Sequence, residues 1–376
     1  MDQSQISIIC LIDLSKGFDV ISHSKLISKL QLHCIDTSWF ENYLFGHTQS
    51  VSFTDSANIK QISDPRPINQ GVFQGSSLGP LLFTIFTNDL SLHAAGAFVV
   101  QYADDTQILV SGSKSDLPGL IARLESVLAS PGSLDDYFCA NGLKVNETKF
   151  ELLPIGTRQN LRTLPAFTVK FRDVVLTPCS QAKNLGVTFD RCLNWDSHVT
   201  LVSQKCMRIL SGIAHLRHHL PPGILPVIVS ALVFSHVRYC LTIYGNGSAK
   251  NLAAVQKIIN FAARVISGKR KFDHISATVK ELGWLTSVDL FYHQTLTSLH
   301  RIRVSGQPEY LASQFYTNRE RADRVRSILD KTLCSVGLTS PVLLRASASM
   351  CIARPNSTTS CHLNCSPCQL RHPNVN

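Results

Sequence analysis

The sequence predicts an α+β fold in which an antiparallel sheet backed by helices is followed by a helical region. Three observations support this prediction. Short apolar runs typical of strands alternate with helical patterns within residues 1–195. Two of these runs are separated by only three residues, a spacing typical of an antiparallel hairpin. After Trp195 the apolar residues recur at helical spacing instead.

Two of the predicted strand segments carry carboxylates at their ends. The run Ile6–Asp13 predicts a buried strand that ends in a carboxylate. The runs Ala97–Tyr102 and Thr106–Val110 predict a hairpin with Asp104 and Asp105 at its tip. A single Asp at a strand end or turn is common. Together, these carboxylates are an arrangement that can hold two divalent cations about 3.5–4 Å apart for phosphoryl transfer.

The remaining elements define the order of the chain. Helices are predicted over Ser24–His33, Gly79–Leu92, Asp116–Phe138, Val199–His219, Ile224–Tyr244 and Leu252–Ile266, and strands over Phe167–Leu176 and Lys183–Phe189. We expect three regions: residues 1–195, residues 196–305, and a degenerate tail 306–376 without a fixed fold.

Charge is unevenly distributed along the chain, whose net charge is +10. Residues 196–376 carry 21 Lys and Arg against 8 Asp and Glu, a balance of +13; residues 1–195 carry 15 against 18, a balance of −3. This distribution suits a metal-binding half followed by a half that holds a polyanion, although ordinary surface variation could also produce it.

The composition favours an intracellular protein of the cytoplasm or nucleus. The hydrophobic content of 44% can fill a core, and the 12 cysteines are scattered through apolar stretches rather than arranged as a disulfide framework. The longest apolar run, Ile224–Phe234, contains Pro226 and is too short to span a bilayer, so no membrane partner is expected.

Five sequence blocks resemble those of reverse transcriptases and occur in the same order. The blocks are Ile12–Val20, Gln70–Phe83, Tyr102–Asp105, Asn141–Lys149 and Asn184–Val187. The Phe18-Asp19 pair, the Gly79–Phe83 run and Asn88–Leu90 are typical of non-LTR, LINE-type retrotransposons. The chain is therefore similar to the RNA-directed DNA polymerase domain of such elements, and the resemblance implies a polymerase palm in residues 1–195 and a helical thumb in residues 196–305.

The resemblance implies a catalytic set of four residues. Asp13 and Asp104 would bind two Mg²⁺ or Mn²⁺ ions, with Asp105 as a neighbouring ligand. Lys149 would donate a proton to the leaving pyrophosphate, although an exposed Lys at a strand edge has a simpler structural interpretation.

The resemblance also implies the substrate contacts. Phe18 would exclude the 2′-hydroxyl of the incoming nucleotide, Gln74 and Gly75 would line that nucleotide, and Tyr102 would lie beside it. The Leu185–Gly186 pair would grip the primer terminus. The implied partners are an RNA template, a DNA primer and a dNTP.

The thumb-like region resembles the family more loosely. Leu252–Ile266, with Gln256, Asn260 and Arg264, could contact nucleic acid directly, or it could be only an amphipathic core helix.

Several positions depart from the pattern of the family. The family usually has Ala at Gly17, Pro at Phe73, Trp near Tyr137, and Thr at Phe150. Only 12 residues precede Asp13, which leaves no room for the usual fingers segment or an upstream endonuclease. We therefore expect an N-terminally truncated copy.

The tail contains four potential zinc ligands. They are Cys361, Cys365, Cys368 and His372. Their spacing fits no standard zinc knuckle, so an out-of-frame end is the favoured interpretation. Two alternatives to an active enzyme stay open: an inactive nucleic-acid-binding remnant, and a pseudogene product.

Overall fold

The computed structural model describes residues 5–56, 58–221, 223–313 and 315. The strands are β1 (Gln5–Ile12), β2 (Leu14–Ser15), β3 (Thr48–Gln49), β4 (Ser52–Thr54), β5 (Lys60–Ile62), β6 (Arg66–Pro67), β7 (Phe98–Tyr102), β8 (Asp105–Ser113), β9 (Lys144–Val145), β10 (Glu151–Gly156), β11 (Val169–Phe171), β12 (Val174–Leu176), β13 (Gln181–Asn184) and β14 (Val187–Asp190). The helices are α1 (His23–Leu32), α2 (Ser38–Leu44), α3 (Gly79–Thr87), α4 (Leu117–Ala129), α5 (Leu134–Asn141), α6 (Arg158–Arg162), α7 (Asp196–Leu216), α8 (Ile224–Val229), α9 (Ser235–Arg238), α10 (Leu241–Tyr244), α11 (Ala249–Ser267), α12 (Ser276–Glu281), α13 (Ser287–Ser305) and α14 (Glu309–Ala312). The prediction of a mixed fold of helix and sheet is confirmed.

The main sheet is a four-stranded antiparallel sheet in the order β10-β1-β8-β7. Alternate residues of the central strand β1 are 0–3% exposed, because one face of the strand lies on the core; they are Ile6, Ile8, Cys10 and Ile12. Strand β10 was not predicted, because Pro154 interrupts its pattern. The structure accommodates this proline because β10 is an edge strand.

Helices supply the rest of the main core. Buried side chains of α1, α3, α4 and α5 form one cluster with the inward-facing residues of β1; among them are Leu26, Leu30, Phe83, Phe86, Leu120, Leu124 and Phe138. Helices therefore cover one face of the sheet.

Several predicted elements are divided, including the helix predicted over Ile224–Tyr244, which is interrupted at Tyr239–Cys240 between α9 and α10. The helix predicted over Asp116–Phe138 breaks between α4 and α5 at Ser130–Ser133, which contains Pro131 and Gly132. The strand predicted over Phe167–Leu176 turns at Arg172, which has φ 51°. The strand predicted over Lys183–Phe189 turns at Leu185–Gly186.

Between α2 and α3 the chain forms two antiparallel pairs that were not predicted. Strand β3 pairs with β6, and β4 pairs with β5. Every residue of these strands is exposed, including Phe53 and Ile62. Such short, exposed strands give little alternation for sequence analysis to detect.

Downstream of the sheet, α7 packs against α11. Helix α7 begins at Asp196, and Trp195, at φ 66°, is its N-terminal cap. The preceding turn is held by the carboxylate of Asp190, which accepts hydrogen bonds from the backbone N–H groups of Cys192, Asn194 and Trp195. A π-helical turn over Ser230–Phe234 separates α8 from α9.

The described residues divide into two compact units. One comprises residues 5–240 and 247–275; the other comprises residues 241–246 and 276–315.

Within the described part of the chain, no helix is long and apolar enough to cross a membrane. The seven cysteines located there carry free thiols.

Candidate active site

The first carboxylate follows the central strand of the sheet. Strand β1 ends at Ile12, which is paired with Thr106 of β8. Asp13 is the next residue, so antiparallel continuation places it beside Asp105 at the start of β8. The segment after β9 also binds the backbone of Asp13, because the Asn146 N–H donates to the Asp13 carbonyl oxygen at 2.9 Å.

The second carboxylate lies in the turn between β7 and β8. Tyr102 pairs with Asp105, so the turn contains only Ala103 and Asp104. Asp105 was expected at the tip, but it is the first residue of β8, because strand pairing extends through it. Ala103 has φ 53°, a conformation disfavoured for a residue with a Cβ. Backbone strain of this kind occurs at functional sites when surrounding structure imposes it.

Close packing brings the turn against the segment after Asp13. A Cβ added to Gly17 would lie 3.3 Å from Asp104 Cβ and 3.2 Å from Phe83 Cε2. Gly17 therefore allows the Asp104 turn and the phenylalanine of α3 to approach the same point of the backbone.

The three carboxylates interact electrostatically. Burial, and then the negative charges of Asp104 and Asp13, raise the pKa of Asp105 above its ordinary value, while the cationic Lys149 lowers it. Lys149 Nζ donates to Asp13 Oδ2 at 3.0 Å, and the Lys149 side chain is 62% exposed. The site thus combines mutually repelling carboxylates with a solvent-accessible cation.

A cavity of about 470 Å³ opens beside these groups. It is lined by Asp13, Asp105 and Lys149, together with Asn184 from the end of β13. The side chain of Gln107, which follows Asp105 by two residues on β8, donates to Asn184 Oδ1 at 3.2 Å. The β13–β14 hairpin is therefore attached to the strand that carries Asp105.

The predicted metal ligands supply oxygen donors, which suit Mg²⁺ or Mn²⁺. Within residues 5–315, apart from the three positions that the structure does not describe, no group of three His, Cys, Asp or Glu side chains is arranged to hold a metal ion. The Lys149 ammonium binds the carboxylate of Asp13. Metal binding by Asp13, Asp104 and Asp105 therefore stays a prediction, as does the role of Lys149. The predicted zinc ligands Cys361, Cys365, Cys368 and His372 lie outside the described residues.

The predicted nucleotide contacts lie on the segment after Asp13 and on the glycine-rich loop. Phe18 is half-buried and packs on Phe83, with ring centres 4.5 Å apart. Gln74 Nε2 donates to Asp19 Oδ1 at 2.7 Å, which ties the loop to the residue after Phe18. Gly75 has φ 83° and no heavy atom within 4 Å of an added Cβ, so space is open beside it.

Two further bonds fix this loop to the Phe18 segment. Val72 N–H donates to the Phe18 carbonyl at 2.9 Å, and Gly71 N–H donates to the Ile21 carbonyl at 2.7 Å. A Cβ on Gly71 would lie 2.8 Å from the Asp19 carbonyl oxygen, so only glycine permits this approach. Phe18 and Gln74 are therefore brought together, and their roles in nucleotide binding stay predictions.

The remaining predicted residues lie at the edges of the site. Tyr102 is 65% exposed. Leu185 and Gly186 form the turn of the β13–β14 hairpin, and Tyr239 Oη donates to the Leu185 carbonyl at 2.6 Å. Sequence reasoning missed Tyr239, because nothing in its local pattern connects it to a turn 54 residues earlier. It also gave no role to Asn146, whose position within a recognised block was the available signal.

Known proteins support this arrangement of blocks. The reverse transcriptase (RNA-dependent DNA polymerase) family matches residues 1–189. "Probable RNA-directed DNA polymerase from transposon BS" of Drosophila melanogaster is 28% identical over 274 residues, which are 68% of this chain and 28% of that protein. "RNA-directed DNA polymerase from mobile element jockey" of the same species is 24% identical over 284 residues, 71% of this chain and 29% of that protein. The chain thus spans less than a third of either relative.

A solved structure also aligns with the chain. Apo telomerase from Candida tropicalis covers 79% of this chain and 47% of its own, with 10% identity and a TM-score of 0.32, which is too low to support an argument about the fold. The family match covers half of the chain and includes every block that contributes to the carboxylate site. The chain belongs to the reverse transcriptase (RNA-dependent DNA polymerase) family.

Proposed function

We propose that this chain is the palm and thumb of an RNA-directed DNA polymerase from a non-LTR retrotransposon. The observation that carries the proposal is the pairing of β1 with β8, which places Asp13 beside Asp105 while the two-residue turn presents Asp104. Family membership and the names of the two Drosophila relatives support the same activity. In this interpretation the four-stranded sheet and its helices are the palm, and the helices from α7 onward are the thumb.

Asp13, Asp104 and Asp105 would hold the divalent cations. Their fit rests on placement and donor chemistry, because strand pairing brings three carboxylates to one end of the sheet. Burial, and then the charges of Asp104 and Asp13, raise the pKa of Asp105, and a bound cation would relieve the repulsion between these charges. Two such ions, held by these carboxylates, would activate the primer 3′-hydroxyl and neutralise charge on the transferring phosphate. The primer 3′-hydroxyl would lose its proton to water as its oxygen bonds to the α-phosphorus. The bond from the α-phosphorus to the oxygen that bridges to the β-phosphate would break, and pyrophosphate would leave.

Phe18 would select the sugar of the incoming nucleotide. Its ring is braced by Phe83, and its backbone carbonyl is fixed by Val72. A braced ring cannot move aside to admit a 2′-hydroxyl. Gln74 and Gly75 would lie along the nucleotide from the adjoining loop, where the open space beside Gly75 allows close approach.

Lys149 would act in proton transfer. In the described structure its ammonium rests on Asp13 Oδ2. Cations bound to Asp13 would release it, and its largely exposed side chain is free to reach the leaving pyrophosphate. The proton that Lys149 holds at Nζ would then neutralise the departing oxygen.

A basic groove between α7 and α11 would hold the nucleic acid. This groove has a volume of about 540 Å³. Its basic side chains are Arg217, Lys257, Arg264, Lys269 and Lys271, and its apolar side chains include Met207, Phe261 and Val265. Such a surface suits a phosphate backbone. The partners would be an RNA template and a DNA primer, which places the protein in the nucleus or cytoplasm.

A primer-extension assay tests the proposal. The purified chain should incorporate dNTPs on an RNA template with Mg²⁺ or Mn²⁺, and Asp104→Asn should lower the rate at least about a hundredfold. Asp173→Asn, which changes an exposed carboxylate in another turn, is the matched control. Extension that is equal in the wild type and Asp104→Asn would contradict the proposal. Primer–template binding without extension would also contradict it and would indicate a nucleic-acid-binding remnant.

A further inference from the structure

The turn between β13 and β14 needs support from outside its own hairpin. Leu185 and Gly186 have φ values of 45° and 81°, the pattern of a two-residue type I′ turn. Leucine is disfavoured in this region because its Cβ approaches the backbone carbonyl. Strands β13 and β14 form a separate two-stranded sheet, and such a sheet is marginally stable alone.

Several side chains from other elements bind the hairpin. Glu151 of β10 and His198 of α7 accept hydrogen bonds from the Lys183 and Thr188 N–H groups along its strands, whereas Gln107 and Tyr239 act at its turn end. On one side, Gln107 of β8 binds Asn184. On the other side, Tyr239 Oη donates to the Leu185 carbonyl at 2.6 Å, and Tyr239 Cε1 lies 3.3 Å from the position of a Cβ on Gly186. Tyr239 therefore contacts both residues of the turn, through its hydroxyl and through its ring.

Tyr239 is itself fixed by its position in the chain. It ends α9, where its N–H donates to the Ser235 carbonyl at 3.1 Å, and Cys240 follows with φ 56°. Partial burial, and then the neighbouring Cys240 and Tyr102, raise the pKa of Tyr239. A tyrosine phenol, whose ordinary pKa is about 10, is protonated at neutral pH, so Tyr239 keeps its donor. The side chain is nevertheless 52% exposed, so packing into a core does not explain its placement.

We propose that Tyr239 is a positioning residue for the primer terminus. Tyr239 holds the Leu185–Gly186 turn of the hairpin, and the hairpin is attached to the strand that carries Asp105. Tyr239 thereby sets the place at which the 3′-terminal nucleotide rests. Because Lys183 and Asn184 line the same cavity as Asp13 and Asp105, a displaced turn would move the 3′-hydroxyl away from the carboxylates. This inference rests on the proposed polymerase function.

The test uses the full chain with a primer–template. Tyr239→Phe removes the hydroxyl and keeps the ring, and Tyr239→Leu removes both. We expect Tyr239→Phe to lower kcat about threefold to tenfold, with primer–template Kd unchanged. Tyr43→Phe is the control, because its phenol oxygen is buried and has no hydrogen-bond partner among the described residues.

Two readouts do not depend on catalysis. A 4-thiothymidine at the primer 3′ end should crosslink to the segment of residues 181–190 in the wild type and less in Tyr239→Phe. Hydrogen exchange of the same segment should quicken in that variant. Extension that is Asp104-dependent but equal in wild type and Tyr239→Phe overturns the inference alone. An inactive wild type overturns the proposed function, and an absent or unchanged crosslink then also overturns the role of Tyr239.

Discussion

The ammonium group of Lys29 joins three elements behind the sheet. From α1 it donates to both carboxylate oxygens of Asp89, at 2.8 and 3.0 Å, and to the carbonyl of Phe86 at 2.6 Å. It also donates to Tyr137 Oη of α5 at 3.2 Å and lies 5.1 Å from the centre of that ring. We predict that Lys29→Met destabilises the fold, because it removes the cation that all three residues share.

The expected loss is about 2–3 kcal/mol. Removing one partner of a fully buried ion pair costs about 3–5 kcal/mol. The Lys29 side chain is only 15% exposed, but Asp89 is 43% exposed, so water can hydrate the carboxylate that is left behind. Tyr137 Oη also remains 2.7 Å from Asp89 Oδ1 and keeps one donor in place.

Urea unfolding followed by tryptophan fluorescence measures this loss. With a slope of about 2–3 kcal/mol per molar urea, the midpoint should fall by about 1 M. Lys25→Met is the control, because Lys25 lies one turn earlier on α1, is exposed, and binds only the carbonyl of Ala140 among the described residues. Equal midpoints for Lys29→Met and Lys25→Met would refute the reasoning.

The Lys29–Asp89 ion pair also predicts a pH dependence of the free energy of unfolding. Although burial opposes it, hydrogen bonds from Lys29 and Tyr137 lower the pKa of Asp89 below its ordinary value of 3.8. A carboxylate with a depressed folded pKa contributes stability above its unfolded pKa and loses it as the pH falls. The difference between wild type and Lys29→Met should therefore shrink below about pH 4.

The other predictions concern substrates. Phe18→Ala should raise ribonucleotide incorporation relative to dNTP in competition assays; an unchanged ratio removes Phe18 from sugar selection. Lys257→Glu with Lys271→Glu should flatten the log–log salt dependence of primer–template binding by about 1–2 units, because each lost phosphate contact contributes about 0.9. As a control, Lys280→Glu with Arg301→Glu, in the other compact unit, should leave the slope unchanged. Equal slopes for the two double variants would mean that the phosphate contacts lie outside the basic groove.

The sheet could be predicted where local pattern matches burial. Strand β1 alternates between core and partly covered positions, and β7 and β8 flank a short turn, so their signals survive in the sequence. The divided elements could not be predicted from apolar content alone. Arg172 and Leu185 adopt positive φ at sharp turns, although neither residue type marks such a turn.

The candidate site was predictable in its residues but less so in its contacts. Chain order and block resemblance identified Asp13, Asp104 and Asp105. The Lys149–Asp13 ion pair spans 136 residues, and the Tyr239–Leu185 bond spans 54. Long-range contacts of this kind depend on how elements pack, and no local periodicity encodes them.

The structure also explains a motif that sequence reasoning left without a role. Asp89 belongs to the Asn88–Leu90 block typical of LINE-type elements, and it binds Lys29 and Tyr137. Tyr137 occupies the region where the family usually has Trp. Its ring still packs on His93 and Phe138, and its hydroxyl adds the bond to Asp89. The block therefore serves packing behind the sheet.

The most direct test of the central claim is an Mn²⁺ titration followed by electron paramagnetic resonance, with primer–template present. If Asp13, Asp104 and Asp105 form the metal site, the wild type binds Mn²⁺, and Asp13→Asn or Asp104→Asn weakens binding by about tenfold or more. Asp173→Asn should match the wild type. Equal Mn²⁺ affinity in all four proteins, or no binding in the wild type, would contradict a polymerase metal site built from these three carboxylates.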